Sequence, residues 1–250
     1  MSDKEKKSIA LPSIKSEVKK ELWQYNWIIY GQPKVGKTTF LADFNNPLFI
    51  CTEDRHKHLS IFKVPEKGAL KSWVEIKEAL TVVRKSIEKG DFKFKTIVVD
   101  TIDNAYKFCT DYICAKHNIE HEGDLGFGKG YGFIRNEFFN VFSYLCSLGV
   151  AVVFISHAED KTLNDKVVEY VKKMPTLPNT GKKVLGPLVD IIGYIGFNPE
   201  KEKRDQRLLY LQGSETLEAG CATGVVMPAV MPLDFKLIEA EWKKNNKGEK

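Results

Sequence analysis

This chain has few cysteines, few arginines and no long apolar run. Its five cysteines (Cys51, Cys109, Cys114, Cys146 and Cys221) form no C-x-x-C pair. That argues against zinc-ribbon and thioredoxin-type chemistry, and the apolar neighbours of most of them favour reduced, buried thiols. Cys114, His117 and His121 stand close together, but no second ligand pair follows at a zinc-like spacing, so they read as a helix end with solvated histidines. No apolar stretch approaches the ~18–20 residues that span a bilayer. The charged segment Met1 to Lys20 lacks the apolar core of a secretion signal, so the cytoplasm is the expected location.

A body-wide charge excess is also missing. The formal net charge is +5, yet residues 1–20 hold six lysines against three acids and residues 241–250 hold four against two. The two ends carry the whole surplus, so net charge says little about nucleic acid. A local cluster is more telling: residues 161–183 hold six lysines and two acids. At 250 residues, 43% apolar and 28% charged, the chain fits one globular domain without internal repeats. The expected layout is a flexible lysine-rich arm over 1–20, a domain over 21–242 and a disordered basic tail over 243–250.

What is present is a complete G-x-x-x-x-G-K-T loop: Gly31, Gln32, Pro33, Lys34, Val35, Gly36, Lys37 and Thr38, then Thr39. Apolar Trp27 to Tyr30 precede it as a strand, and Thr38 to Phe44 suit a helix start. Strand, Gly-bounded turn and helix start together make a nest of backbone N–H groups that holds phosphate. Lys37 is placed to reach the β and γ phosphates of ATP, and the Thr38 hydroxyl to ligate Mg²⁺. Thr96-Ile97-Val98-Val99-Asp100 is a buried-type strand ending in a carboxylate. It is expected beside the loop strand in a parallel sheet, with Asp100 aimed at the Mg²⁺ or its water.

Further strands are expected at Pro47–Cys51, Val150–Ser156, Ile191–Phe197 and Leu208–Leu211. Helices are expected over Ser72–Lys89, Asp103–His117, Phe133–Leu148 and Asp234–Lys244. Residues 158–187 look irregular or hairpin-like. The alternation predicts an α/β fold: a mostly parallel sheet with helices on both faces and antiparallel strands added at one edge.

Hydrolysis needs a group that orients water near the γ-phosphate and one that senses its loss. Glu53, just past a strand's C-terminal end, is the candidate base, with Asp54 as fallback. His157, after Val152-Val153-Phe154-Ile155-Ser156, would project toward the γ-phosphate from the neighbouring strand as a sensor.

The order phosphate loop, strand ending in Glu, strand ending in Asp, strand ending in a polar sensor resembles the RecA-like P-loop NTPase core. It is most similar to the phage-type RecA-core ATPases of the Sak single-strand annealing group, through Ile29-Tyr30-Gly31, Leu48-Phe49-Ile50 then Thr52-Glu53, Ile97-Val98-Val99-Asp100-Thr101 and Phe154-Ile155-Ser156-His157. The resemblance spans roughly residues 25–240. It implies a catalytic carboxylate at Glu53, Mg²⁺ chemistry at Thr38 and Asp100, and a sensor at His157, where classical recombinases usually carry an amide. For a phage protein the location becomes the host cytoplasm.

The resemblance also implies DNA contacts in the loops after the Asp strand's helix and after the sensor strand. Gly126-Phe127-Gly128-Lys129-Gly130-Tyr131-Gly132-Phe133 alternates glycine with aromatic or basic residues, a pattern suited to stacking on single-stranded DNA as well as to a plain linker. Lys161, Lys166, Lys172 and Lys173 could track a phosphate backbone. Lys182 or Lys183 could reach a neighbouring protomer's γ-phosphate in a ring or filament, with Arg204 and Arg207 as rivals. A single-strand binding protein is a further conceivable partner. Two other function classes fit a P-loop: a small-molecule kinase, for which five arginines make a thin lid, and a nucleotide-gated loader of another replication factor.

Overall fold

The computed structural model describes residues 11, 13–15, 17–164 and 169–246. Among the described residues, ten strands form the sheet. The parallel part comprises β1 (Trp27–Gly31), β2 (Pro47–Cys51), β3 (Phe62–Val64), β4 (Thr96–Asp100), the first half of β5 (Ala151–Asn164) and β7 (Ile191–Phe197). Its spatial order is β7-β1-β5-β4-β2-β3. The antiparallel additions are β8 (Arg207–Tyr210), β9 (Gly220–Cys221) and β10 (Val230–Pro232) beside β7, with β6 (Glu169–Pro175) paired to the second half of β5.

The sheet is buried on both faces because alternate side chains enter two separate cores. Ile28, Ile50, Val99 and Phe154 point to one face, which α2 (Trp73–Lys89), α3 (Ile102–His117), α4 (Lys129–Cys146) and α5 (Asn179–Leu185) cover with Trp73, Ile102, Phe138 and Val184. Trp27, Ile29, Phe49 and Ile155 point to the other, covered by α1 (Lys37–Ala42) and α6 (Phe235–Asn245) with Phe40, Leu41 and Trp242. Burial of each large apolar side chain is worth about 1.5–3 kcal/mol, so both layers are firmly fixed. This is the α/β P-loop fold with antiparallel strands at one edge. Among the described residues, no helix is long and apolar enough to cross a membrane.

Several sequence expectations need correction. The Asp100 strand does not lie beside β1, because β5 runs between them. Strand neighbours in a parallel sheet are set by the crossovers, not by sequence order. The strand carrying His157 does not stop there but continues to Asn164, pairing Ala158–Asn164 with β6 as an antiparallel hairpin. Helix α4 starts at Lys129 rather than Phe133, so Lys129–Gly132 are helical backbone and not a flexible glycine loop. Gly130 is buried there against the Glu122 carbonyl, a contact that a Cβ would obstruct.

At the ends, Lys20 O accepts from Trp242 Nε1 at 3.1 Å and Lys19 O accepts from Tyr25 Oη at 3.1 Å, tying the last residues of the 1–20 arm to the body. Helix α6 extends to Asn245, three residues into the 243–250 tail. The rest of the arm before Leu11 and residues 247–250 lie outside the described residues, as does Lys166.

Candidate active site

The phosphate loop follows β1 because that strand is pinned on both sides, by β5 and by β7. Gly31 is needed at its end: the Ile195 carbonyl of β7 occupies the space a Cβ would take. Gly36, with φ +99°, turns the chain into α1 in a conformation that favours glycine. Val35 points away from the loop into the core. Gln32 contributes its carbonyl, while Pro33, Lys34, Gly36, Lys37, Thr38 and Thr39 line a cavity of about 640 Å³.

Lys37 is 6% exposed, and its Nζ donates to Gly31 O at 2.8 Å and Gln32 O at 3.1 Å. Burial lowers its pKa, with Asp100, Asp103 and Glu53 pulling the other way. A buried ammonium that, among the described residues, bonds its own loop's carbonyls alone is poised for an anion, which is the fit a triphosphate requires.

Thr38 Oγ1 donates to Asp100 Oδ2 at 2.9 Å. Two hard oxygen donors at the loop's rim, beside a cavity roomy enough for water and phosphate, suit Mg²⁺, which takes few protein ligands and keeps several waters. The same Asp100 oxygen meets His56 Nε2 at 2.9 Å, and the buried His56 Nδ1 has no partner among the described residues. Sequence reasoning passed over His56, one residue in the polar run Arg55-His56-Lys57-His58. No local pattern distinguishes it from its solvated neighbours.

Glu53 lines the same cavity as the loop. Its Oε1 accepts from Asn104 Nδ2 at 3.3 Å and stands 3.5 Å from His157 Nε2, and its Oε2 is 3.5 Å from Arg55 Nε. The His157 hydrogen bond holds the Glu53 carboxyl below the usual carboxylate range, against the opposing effect of burial and with help from the charges of His157, Arg55 and Lys37. Thr52 and Thr101 exchange two hydrogen bonds (2.8 and 3.0 Å) that lock the end of β2 to the end of β4. Asp54, the fallback base, pairs with Lys63 at 3.8 Å and does not line the cavity.

His157 faces Gly31 in the β1–β5 register, so it does project from the strand next to the loop. Its backbone N–H donates to Asp103 Oδ2 at 3.0 Å, and Asp103 Oδ1 accepts from Ser156 Oγ and Thr176 Oγ1, both at 2.8 Å. Asp103 therefore ties β5, α3 and the base of the hairpin, just after β6, to one another. It was legible in the sequence only as a residue in a helix's first turn.

The remaining predicted residues are scattered. Phe127 is fully exposed at φ 59°, and Tyr131 is exposed on the first turn of α4 beside Lys129. Phe133 stacks on His117 with ring centroids 4.4 Å apart. Lys161 and Lys172 sit opposite one another across the hairpin, while Lys173, on the other face, pairs with Asp160. Lys182 turns inward to the Pro175 carbonyl at 2.9 Å, whereas Lys183 and Arg204 are exposed. Arg207 lines the same cavity as the phosphate loop.

The family model for the AAA domain (AAA_24) matches residues 24–221. The SPbeta prophage-derived uncharacterized protein YorG of Bacillus subtilis (strain 168) is 29% identical over 181 residues, covering 70% of this chain and 52% of that protein. The chain thus spans about half the length of that curated relative. Among solved structures, the KaiC-like protein PH0186 from Pyrococcus horikoshii OT3 superposes with a TM-score of 0.45 at 14% identity, over 84% of each chain.

Proposed function

The chain belongs to the AAA domain family, and from that premise we propose a Mg²⁺-dependent ATPase that binds single-stranded DNA and promotes its annealing or recombination, working as a homo-oligomer. The observation that carries the ATPase part is one cavity lined by Lys37, Thr38, Asp100, Glu53 and His157. Lys37 exchanges its loop carbonyls for β and γ phosphate oxygens. Thr38 and Asp100 would hold Mg²⁺, which when bound neutralises charge on those oxygens. Glu53, ionised at neutral pH, orients a water and takes its proton as the water oxygen bonds to the γ-phosphorus. The bond from that phosphorus to the bridging oxygen breaks, leaving ADP and phosphate.

His157 feels the γ-phosphate at the point where β5 leaves the parallel sheet for the hairpin. Loss of the phosphate changes its contact with Glu53, and Asp103 passes the change to Thr176. A nucleotide-dependent hairpin is what a DNA-coupled ATPase needs. Support for DNA comes from the exposed Phe127 and Tyr131 with Lys129, and from Lys161 facing Lys172. The Sak-type assignment rests on the motif order, and a prophage-derived relative fits a phage origin and a host-cytoplasmic location. A kinase lid gains little, because only Arg55 and Arg207 of the five arginines line the cavity.

The test is ATP turnover measured alone and with single-stranded DNA, duplex DNA and RNA, beside a gel shift at low salt. The proposal expects turnover stimulated most by single-stranded DNA, with salt-sensitive binding. Equal turnover in all four conditions and no shifted band would refute the DNA part. No turnover at all would refute the whole.

A further inference from the structure

Arg207, on sequence alone a candidate to serve a neighbouring protomer, is directed at its own phosphate loop. It opens β8 opposite Phe197 of β7, the strand that flanks β1 on the side away from β5. Its side chain crosses over the loop so closely that a Cβ built on Gly36 would stand 2.7 Å from one guanidinium nitrogen and 3.6 Å from Cδ and Cζ. The side chain lines the same cavity as Lys37 and Thr38. Among the described residues, no carboxylate lies within 4.0 Å of its nitrogens. The two acids of the cavity are already engaged, Glu53 by Asn104, His157 and Arg55, and Asp100 by Thr38 and His56.

An exposed arginine without an acidic partner among the described residues, lying over a phosphate-binding loop, presents a planar fork of donors suited to phosphate oxygens. Its side of the loop matters. Asp100, Glu53 and His157 come from β4, the end of β2 and β5, all on one flank of β1. Arg207 comes from the opposite flank. If, as the ATPase reading has it, the first group serves the γ-phosphate end, the opposite flank leaves Arg207 for the part of the nucleotide that ATP and ADP share.

We propose that Arg207 binds the α- and β-phosphates of the nucleotide held by its own subunit. It is then a cis binding residue and not a finger offered in trans. Gly36 serves this contact as well as its turn, since a side chain at position 36 would push the guanidinium off the loop. The inference rests on the ATPase reading.

The experiment measures ATP and ADP binding, KM and kcat for the wild type, Arg207→Ala and Arg207→Lys, and then mixes Arg207→Ala with Lys37→Ala protein. Arg207→Ala is expected to weaken ATP and ADP binding alike, by roughly tenfold or more as for a lost charge-assisted phosphate contact, with KM rising by a larger factor than kcat falls. Arg207→Lys should recover part of the loss. Mixing should restore nothing, because each subunit needs its own Arg207. Unchanged affinity for both nucleotides, or a fall in kcat rescued by the Lys37→Ala subunits, would overturn the assignment. A wild type that binds neither nucleotide would refute the ATPase reading itself, an outcome distinct from a wild type that binds and an Arg207→Ala variant that binds equally well.

Discussion

Glu53 Oε1 and His157 Nε2 stand 3.5 Å apart, joining the end of β2 to the strand beside the phosphate loop. This contact is the main reason the Glu53 carboxyl titrates below its usual 4.5. A carboxyl whose pKa is depressed in the folded state adds stability in its ionised form. That contribution is present above the unfolded value and is lost as pH falls through the folded value. Denaturation of the wild type and Glu53→Gln should therefore show a gap that closes once the solution is acid enough to protonate the carboxyl in the folded protein. A gap that persists in full at the most acid pH where both proteins still fold would contradict the assigned contact.

Asp103 accepts from three groups, and its removal leaves the His157 N–H and the Thr176 hydroxyl without these acceptors and Ser156 Oγ with only its longer bond to the His157 carbonyl. Asp103→Ala is expected to cost about 2–3 kcal/mol of stability in a urea titration. It should still bind ATP, because Asp103 does not line the cavity. The stimulation of turnover by DNA should fall, because the side-chain brace from α3 to His157 and the base of the hairpin is lost. Unaltered stability and full stimulation would show that the brace is dispensable.

Lys37 is a buried cation held by loop carbonyls. Removing it takes away a desolvated charge along with two hydrogen bonds, so Lys37→Ala should melt within a few degrees of the wild type without nucleotide. With ATP at about 100 times its dissociation constant, the wild type gains about 2.7 kcal/mol by mass action, and Lys37→Ala should gain none. A similar nucleotide-induced shift in both proteins, read by thermal melting, would contradict the role given to Lys37.

Trp242 is fully buried, packs edge-on against Tyr25 at 5.1 Å and donates to the Lys20 carbonyl. Trp242→Ala should cost about 3–5 kcal/mol. The same variant should expose Lys19 and Lys20 to trypsin sooner than the wild type. Equal cleavage rates would mean that the N-terminal segment is anchored elsewhere.

The phosphate loop was legible because its signal is local: glycines at turn positions, an apolar strand before and a helix start after. That Glu53 and His157 reach one cavity is legible because each follows a buried apolar run, and the C-terminal ends of such runs converge on one sheet edge. The order of those runs was not legible, since nothing in Thr96–Asp100 says that β5 will come between it and β1. The early start of α4 was hidden by Gly130 and Gly132, which count against a helix locally, although Gly130 is there to meet the Glu122 carbonyl. His56 and Asp103 were missed because their importance comes from partners 44 and 54 residues away. Arg207 stands out in the sequence as one of five arginines, but only the fold shows that it lies over the phosphate loop of its own chain.

The most direct measurement compares wild type and Glu53→Gln for ATP binding and turnover in the presence of Mg²⁺. The account predicts that Glu53→Gln retains ATP, bound and uncleaved, with turnover reduced by roughly a hundredfold or more, as expected when the group that takes the water's proton is lost. Turnover within a few-fold of the wild type would place the attacking water under another residue's control and contradict the central claim.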